Sequence, residues 1–130
     1  YAAVIPIFTT AMLKGKRPTI FGDGLQARDF TYIDNVVHGN ILASQAPNVS
    51  GEVMNLATGG SVSLNELMTK LNEVLGTSID AIHAEPRPGD IKFSRANIDK
   101  ARDLLDFSPV VEFDEGLRRT VAWYRSQNNA

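Results

Sequence analysis

Apolar residues Val4, Ile5, Phe8, Met12 and Leu13 fall on one side of a predicted helix. It stops near Gly15, whose tolerance of positive φ suits the position just past a helix end. Pro6 lies in its first turn, where a missing N–H costs nothing. Thr19-Ile-Phe21 reads as a short strand running into a tight turn at Gly22-Asp-Gly24. Residues 28–33 alternate like a second strand, with Phe30 and Tyr32 on one side and Asp29, Thr31 and Ile33 on the other. Asp34 is then the expected N-cap of a helix that turns Val36, Val37, Ile41 and Leu42 inward. Residues 53–57 are apolar and few, which predicts a buried strand.

The strongest helical stripe comes next. Leu64, Leu67, Met68, Leu71, Val74 and Leu75 recur at helical spacing, Ser63 and Glu66 form a capping box, and Gly76 ends the run. Residues 80–84 predict another strand. Two prolines and a glycine force residues 85–90 into a loop. A helix over 98–105 and a last one carrying Leu117, Val121 and Tyr124 complete the pattern. No repeat, low-complexity segment or internal linker interrupts it. Residues 1–130 therefore form one domain. Its strands are too few for a doubly wound sheet, so the expected class is α/β, an α+β lobe that leans on something else.

Composition narrows the function. A chain of 130 residues supports a single core, and 43% hydrophobic with 22% charged residues suits a soluble globular protein. No apolar run approaches the roughly 18 residues of a membrane span. The net charge of −2, with acids and bases mixed at Arg95, Asp99, Lys100, Arg102 and Asp103, offers no field for nucleic acid. The lack of cysteine excludes disulfides, thiolate catalysis and cysteine-held metal, and it agrees with a cytoplasmic location. His38 and His83 are far apart, and no metal site is expected. A start at Tyr-Ala-Ala-Val-Ile-Pro predicts a piece of a longer chain.

Catalytic motifs are absent: no G-x-G-x-x-G, no G-x-x-x-x-G-K-[ST], no nucleophile elbow. What remains is binding chemistry. Arg28 follows a glycine turn and Arg87 lies in a proline-stiffened loop. A guanidinium fork matches phosphate oxygens, so the two could clamp a diphosphate. The alternative is surface ion pairing with Asp23, Asp29 or Glu85, worth about 0–1 kcal/mol. Asp90 could cap the next element or accept from ribose hydroxyls. Phe21 could be core or a stacking platform for a base. Trp123 and Tyr124 are expected to anchor the last helix.

Gly22-Asp-Gly-Leu-Gln-Ala-Arg-Asp-Phe-Thr-Tyr-Ile-Asp-Asn-Val-Val37 resembles the GDG-x-x-x-RDF-x-Y-V-x-D-V signature of extended short-chain dehydrogenase/reductases, which include UDP-glucose and UDP-N-acetylglucosamine 4-epimerases. Val4-Ile-Pro-Ile-Phe8 with Gly15-Lys16, Asn55-Leu-Ala-Thr-Gly59, Arg87-Pro-Gly-Asp90 with Ser94, the Asp99-Lys-Ala101 helix and the Glu115–Tyr124 helix match in the same order. The resemblance spans essentially the whole chain. It implies a C-terminal, nucleotide-sugar-binding domain whose N-terminal partner carries the NAD fold and a Tyr-x-x-x-Lys pair. Arg28 and Arg87 then resemble the diphosphate arginines and Asp90 the ribose contact. Ala3 and Val4 would present backbone beside the nucleotide, and Thr19 and Phe21 would line the base slot. Ser94 resembles the position facing the sugar C2 substituent, where a small side chain admits an N-acetyl group.

The implied reaction is NAD-dependent 4-epimerisation of a UDP-hexose or UDP-N-acetylhexosamine, in an enzyme expected to be a homodimer. The 130 residues by themselves are expected to be inactive, with no catalytic residue and no bound cofactor. A 4,6-dehydratase, a decarboxylase and a stand-alone binding module are the alternatives.

Overall fold

The computed structural model describes residues 3–128. Helix α1 (Val4–Leu13) takes Pro6 in its first turn, where no intrahelical donor is needed. It ends in a Schellman motif: Gly15 N–H donates to Met12 O (3.0 Å) and Lys16 N–H to Ala11 O (2.9 Å). That geometry requires a left-handed residue, and Gly15 has φ 66°. Strand β1 (Thr19–Phe21) follows, then β2 (Ala27–Arg28) and helix α2 (Ile33–Gln45). Strand β3 (Val62–Ser63) leads directly into α3 (Leu64–Leu75), which is closed by the expected reciprocal Ser63/Glu66 cap and by Gly76 at φ 69°. Strands β4 (Ile82–Ala84) and β5 (Phe93–Ser94) flank the proline loop, and α4 (Asp99–Leu105) and α5 (Phe113–Asn128) end the fold.

Two small sheets result. β1 pairs in parallel with β4, Thr19 opposite Ile82 and Phe21 opposite Ala84. β2 is the middle strand of three, antiparallel to β3 and parallel to β5. The main core joins Phe8 and Met12 of α1, Ile20 of β1, the Leu64/Leu67/Met68/Leu71 face of α3, and Leu117 and Val121 of α5. A second cluster gathers Ala101, Leu105 and Phe107 against Leu42, Ala46, Met54 and Leu56. Burying side chains of this kind contributes about 1.5–3 kcal/mol each before entropy is counted.

The structure departs from the pattern in four places. The second strand stops at Arg28, because Asp29 turns inward: its Oδ1 accepts from Thr58 N–H (3.1 Å) and Oγ1 (2.5 Å), and its Oδ2 from Gly59 N–H (2.8 Å). Helix α2 begins at Ile33 behind Tyr32, and Asp34 lies inside its first turn instead of capping it. Its buried face is Asn35 and Gly39, while Val37 and Ile41 are exposed along with Ile33. Asn35 holds the chain at residues 110–111 through three bonds of 2.8 Å, to Val111 O and from Val110 and Val111 N–H. Gly39 lets Leu56 come so close that a Cβ would lie 2.5 Å from its Cδ2. Close approach, not apolar spacing, sets that helix's rotation.

Residues 53–57 make no ladder with any described strand, and Val53 is 82% exposed. Trp123 is exposed too, its ring edge-on to Tyr124 at 4.9 Å, so it does not anchor α5.

Candidate functional site

The short strands matter because of what they hold in place. β4 is tied to β1 and β5 to β2, so the loop between β4 and β5 is drawn across the ends of β1 and β2. Gly22 N–H to Ala84 O (2.8 Å) and Ala27 N–H to Lys92 O (2.8 Å) fasten its two shoulders. Within it, Arg87-Pro-Gly-Asp90 closes with Asp90 N–H on Arg87 O at 3.2 Å, and Gly89 has φ 80°. Proline second and a left-handed glycine third are the demands of a type II turn. The turn therefore presents Arg87 and Asp90 side by side.

Those two residues face a groove of about 600 Å³ between the turn, β1 and α1. Val4, Thr19, Phe21, Arg28, Arg87 and Asp90 all line it. Two of the expected residues do not. Ala3 lies on a separate depression beside Ile5, Phe30 and Phe113. Ser94 is an exposed residue on β5, opposite Arg28 in the ladder.

Arg28 Nη2 donates to Asp90 Oδ1 at 2.9 Å, and its Nη1 to Ala27 O at 2.8 Å. Surface pairing with Asp23, Asp29 or Glu85 was the alternative for the arginines, but the carboxylate that Arg28 meets is that of Asp90. Asp29 is occupied by Thr58 and Gly59, and Asp23 by Lys92 at 2.5 Å. That hydrogen bond from Lys92 holds Asp23 below the ordinary carboxylate range. Asp90 caps no helix and instead meets Arg28. Arg87 stacks its guanidinium 3.8 Å from the Phe21 ring centroid, so Phe21 is a wall of the groove and not core. Two cations and one carboxylate leave this end of the groove net positive, which favours an anion whose neighbouring groups can donate to Asp90.

Two further residues escaped the sequence reading. Gln26 is only 7% exposed and lines the groove, its Nε2 donating to Phe21 O at 2.7 Å. No periodicity marks it, because it leaves a turn shaped by Asp23 Oδ1 accepting from Leu25 N–H at 2.9 Å. Arg17 sits at the far rim, fixed by Nε and Nη2 on the carbonyls of Asp80 and Ala81, both at 3.0 Å. His83 Nδ1 meets Gly22 O at 2.8 Å, and no metal-type cluster occurs among the described residues. No described helix is long and apolar enough to cross a membrane.

The sequence profile of the GDP-mannose 4,6 dehydratase family matches residues 2–120. The chain belongs to that family. It is 35% identical over 127 residues to the UDP-glucose 4-epimerase of Mycolicibacterium smegmatis, spanning 98% of this chain and 40% of that protein. The fold matches the C-terminal portion of solved epimerases. One is the UDP-N-acetylglucosamine 4-epimerase from Methanobrevibacter ruminantium M1 in complex with UDP-N-acetylmuramic acid, at TM-score 0.90 and 43% identity, covering 98% of this chain and 40% of that one. Another is the UDP-glucuronic acid 4-epimerase from Bacillus cereus in complex with UDP-glucuronic acid and NAD, at TM-score 0.90 and 33% identity, covering 96% and 40%. The chain thus spans about two fifths of the length of the relatives it matches.

Proposed function

We propose that this chain is the nucleotide-gripping domain of an NAD-dependent UDP-sugar 4-epimerase. The observation that carries the reading is the convergence of Arg28, Arg87 and Asp90 with Phe21 on one groove. The two guanidinium groups hold the diphosphate, Asp90 accepts from ribose hydroxyls, and the base lies along Thr19 and Phe21 with the backbone of Val4 nearby. Charge-assisted hydrogen bonds of this kind contribute about 1.5–3 kcal/mol each.

NAD does not fit the described residues. The sheets have two and three strands, and no glycine-rich turn opens a strand–helix crossover. Oxidation and re-reduction at the sugar C4, the chemistry NAD supplies when bound, therefore belong to the remainder of the enzyme. What this domain contributes is an asymmetric grip: the nucleotide is clamped, and the sugar, free of comparable anchors here, can present either face.

Ser94 pairs directly with Arg28 in the β2–β5 ladder, outside the groove lining, and a side chain this small beside the sugar C2 would leave space for an N-acetyl group. The parent enzyme accordingly accepts UDP-N-acetylhexosamines alongside UDP-hexoses; the similar Methanobrevibacter protein is named a UDP-N-acetylglucosamine 4-epimerase. Assays of the full-length enzyme on acetylated and non-acetylated substrates, before and after Ser94→Tyr, test this. Turnover of the acetylated sugar should fall selectively in the variant, and indifference to the change would refute the assignment.

Alone, the 130 residues should bind UDP weakly and turn nothing over. A 4,6-dehydratase is the second reading, favoured by the family profile itself. An epimerase yields a product of unchanged mass, whereas a dehydratase yields a keto sugar lighter by one water.

A further inference from the structure

We infer that Gln26 is a positioning residue, whose buried amide sets the Asp90 carboxylate for the nucleotide; the inference rests on the functional reading above. Gln26 is the buried polar side chain of the groove. Its Nε2 is pinned on Phe21 O at 2.7 Å and reaches Asp90 Oδ2 at 3.5 Å, a weak, long contact. The other carboxylate oxygen, Oδ1, takes Arg28 Nη2 at 2.9 Å. One amide thus links the base wall at Phe21, the hydroxyl acceptor Asp90 and, through it, the phosphate cation Arg28.

The consequence is geometric. A guanidinium and a carboxylate left alone tend to close into a two-bond fork. Here Arg28 meets Asp90 through a single nitrogen and a single oxygen, while Oδ2 faces the amide. A carboxylate closed onto Arg28 would consume the donors that phosphate needs and the lone pairs that ribose hydroxyls need. Gln26 keeps Oδ2 turned away from Arg28, and its attachment to Phe21 O ties that orientation to the base wall. A ligand arriving in the groove finds these groups already oriented, so less of its binding energy goes into ordering them.

The test is isothermal titration of UDP into the full-length protein and its Gln26→Met, Asp90→Ala and double variants. Methionine keeps the length of the side chain and loses the donor. Gln26→Met should weaken UDP binding about tenfold, the order expected for misplacing one charge-assisted contact. The loss should largely vanish in the Asp90→Ala background, because a residue acting through Asp90 has nothing left to position. A purely structural role gives losses that add, and additive losses overturn the inference. So does unchanged affinity in Gln26→Met. If Gln26→Met does not fold, Gln26→Leu replaces it in the same cycle, since leucine keeps most of the apolar volume and cannot donate. Wild-type protein that fails to bind UDP overturns the functional reading and this one together. Wild-type binding with an unaltered Gln26 variant overturns this one alone.

Discussion

Replacing Arg28 by lysine keeps the charge and removes the fork. The arginine donates in two directions at once, to Ala27 O at 2.8 Å and to Asp90 Oδ1 at 2.9 Å. An ammonium on an unbranched stem cannot hold both and still face two phosphate oxygens. The cost to folding should be small. The Arg28 and Asp90 side chains are 29% and 39% exposed, and so open an ion pair contributes about 0–1 kcal/mol. For a chain of this size that lowers the melting midpoint by at most about 3–6 °C.

The cost to binding should be larger. Losing one charge-assisted bond to phosphate removes about 1.5–3 kcal/mol, which is roughly ten- to a hundredfold in Kd. Titrating UDP and uridine into wild-type and Arg28→Lys protein, at one ionic strength, separates the two effects. Uridine carries no phosphate, so its affinity should change little. UDP affinity within about twofold of wild type, or an equal loss for UDP and uridine, would refute the phosphate assignment.

Two further outcomes follow from the fold that supports the groove. Gly24 has φ 75°, and a Cβ there would collide with the Asn65 side chain, which donates to Asp23 O at 3.0 Å. Gly24→Ala should therefore destabilise the domain by about 1–2 kcal/mol or more, read as a lower thermal midpoint. The second concerns Glu66, whose carboxylate accepts from Ser63 N–H at 2.7 Å and is held below its ordinary 4.5, first by that backbone bond and then by the Ser63 hydroxyl. A depressed folded-state value means the contribution is fully present above about pH 4.5 and is lost as pH falls through the folded value. The melting midpoint of wild type should exceed that of Glu66→Gln at neutral pH, and the gap should close in acid. A gap that stays constant with pH would contradict the capping-box account.

Local rules were enough for much of the fold. Gly15 and Gly76 stop α1 and α3 where their backbone freedom implies, Ser63 and Glu66 start α3, and the proline loop is a loop. Each of these depends on neighbours within about one helical turn, which is why it can be read along the chain. The type II turn at Arg87–Asp90 was likewise implicit in its own four residues.

Whatever depends on distant partners was not legible. The rotation of α2 is set by Leu56 pressing on Gly39 and by Asn35 holding residues 110–111, contacts that apolar spacing cannot contain. The early end of β2 follows from a carboxylate recruited by residues 58 and 59. For the groove, sequence and resemblance named the arginines and Asp90, but the choice of Asp90 as Arg28's partner, and the presence of Gln26 beneath it, came from two parallel pairings that bring Arg28 and Asp90, 62 positions apart, onto each other. Side-chain chemistry is a property of the residue. Which group it meets is a property of the tertiary fold, because the energy of a contact between remote residues is decided by the path of everything between them.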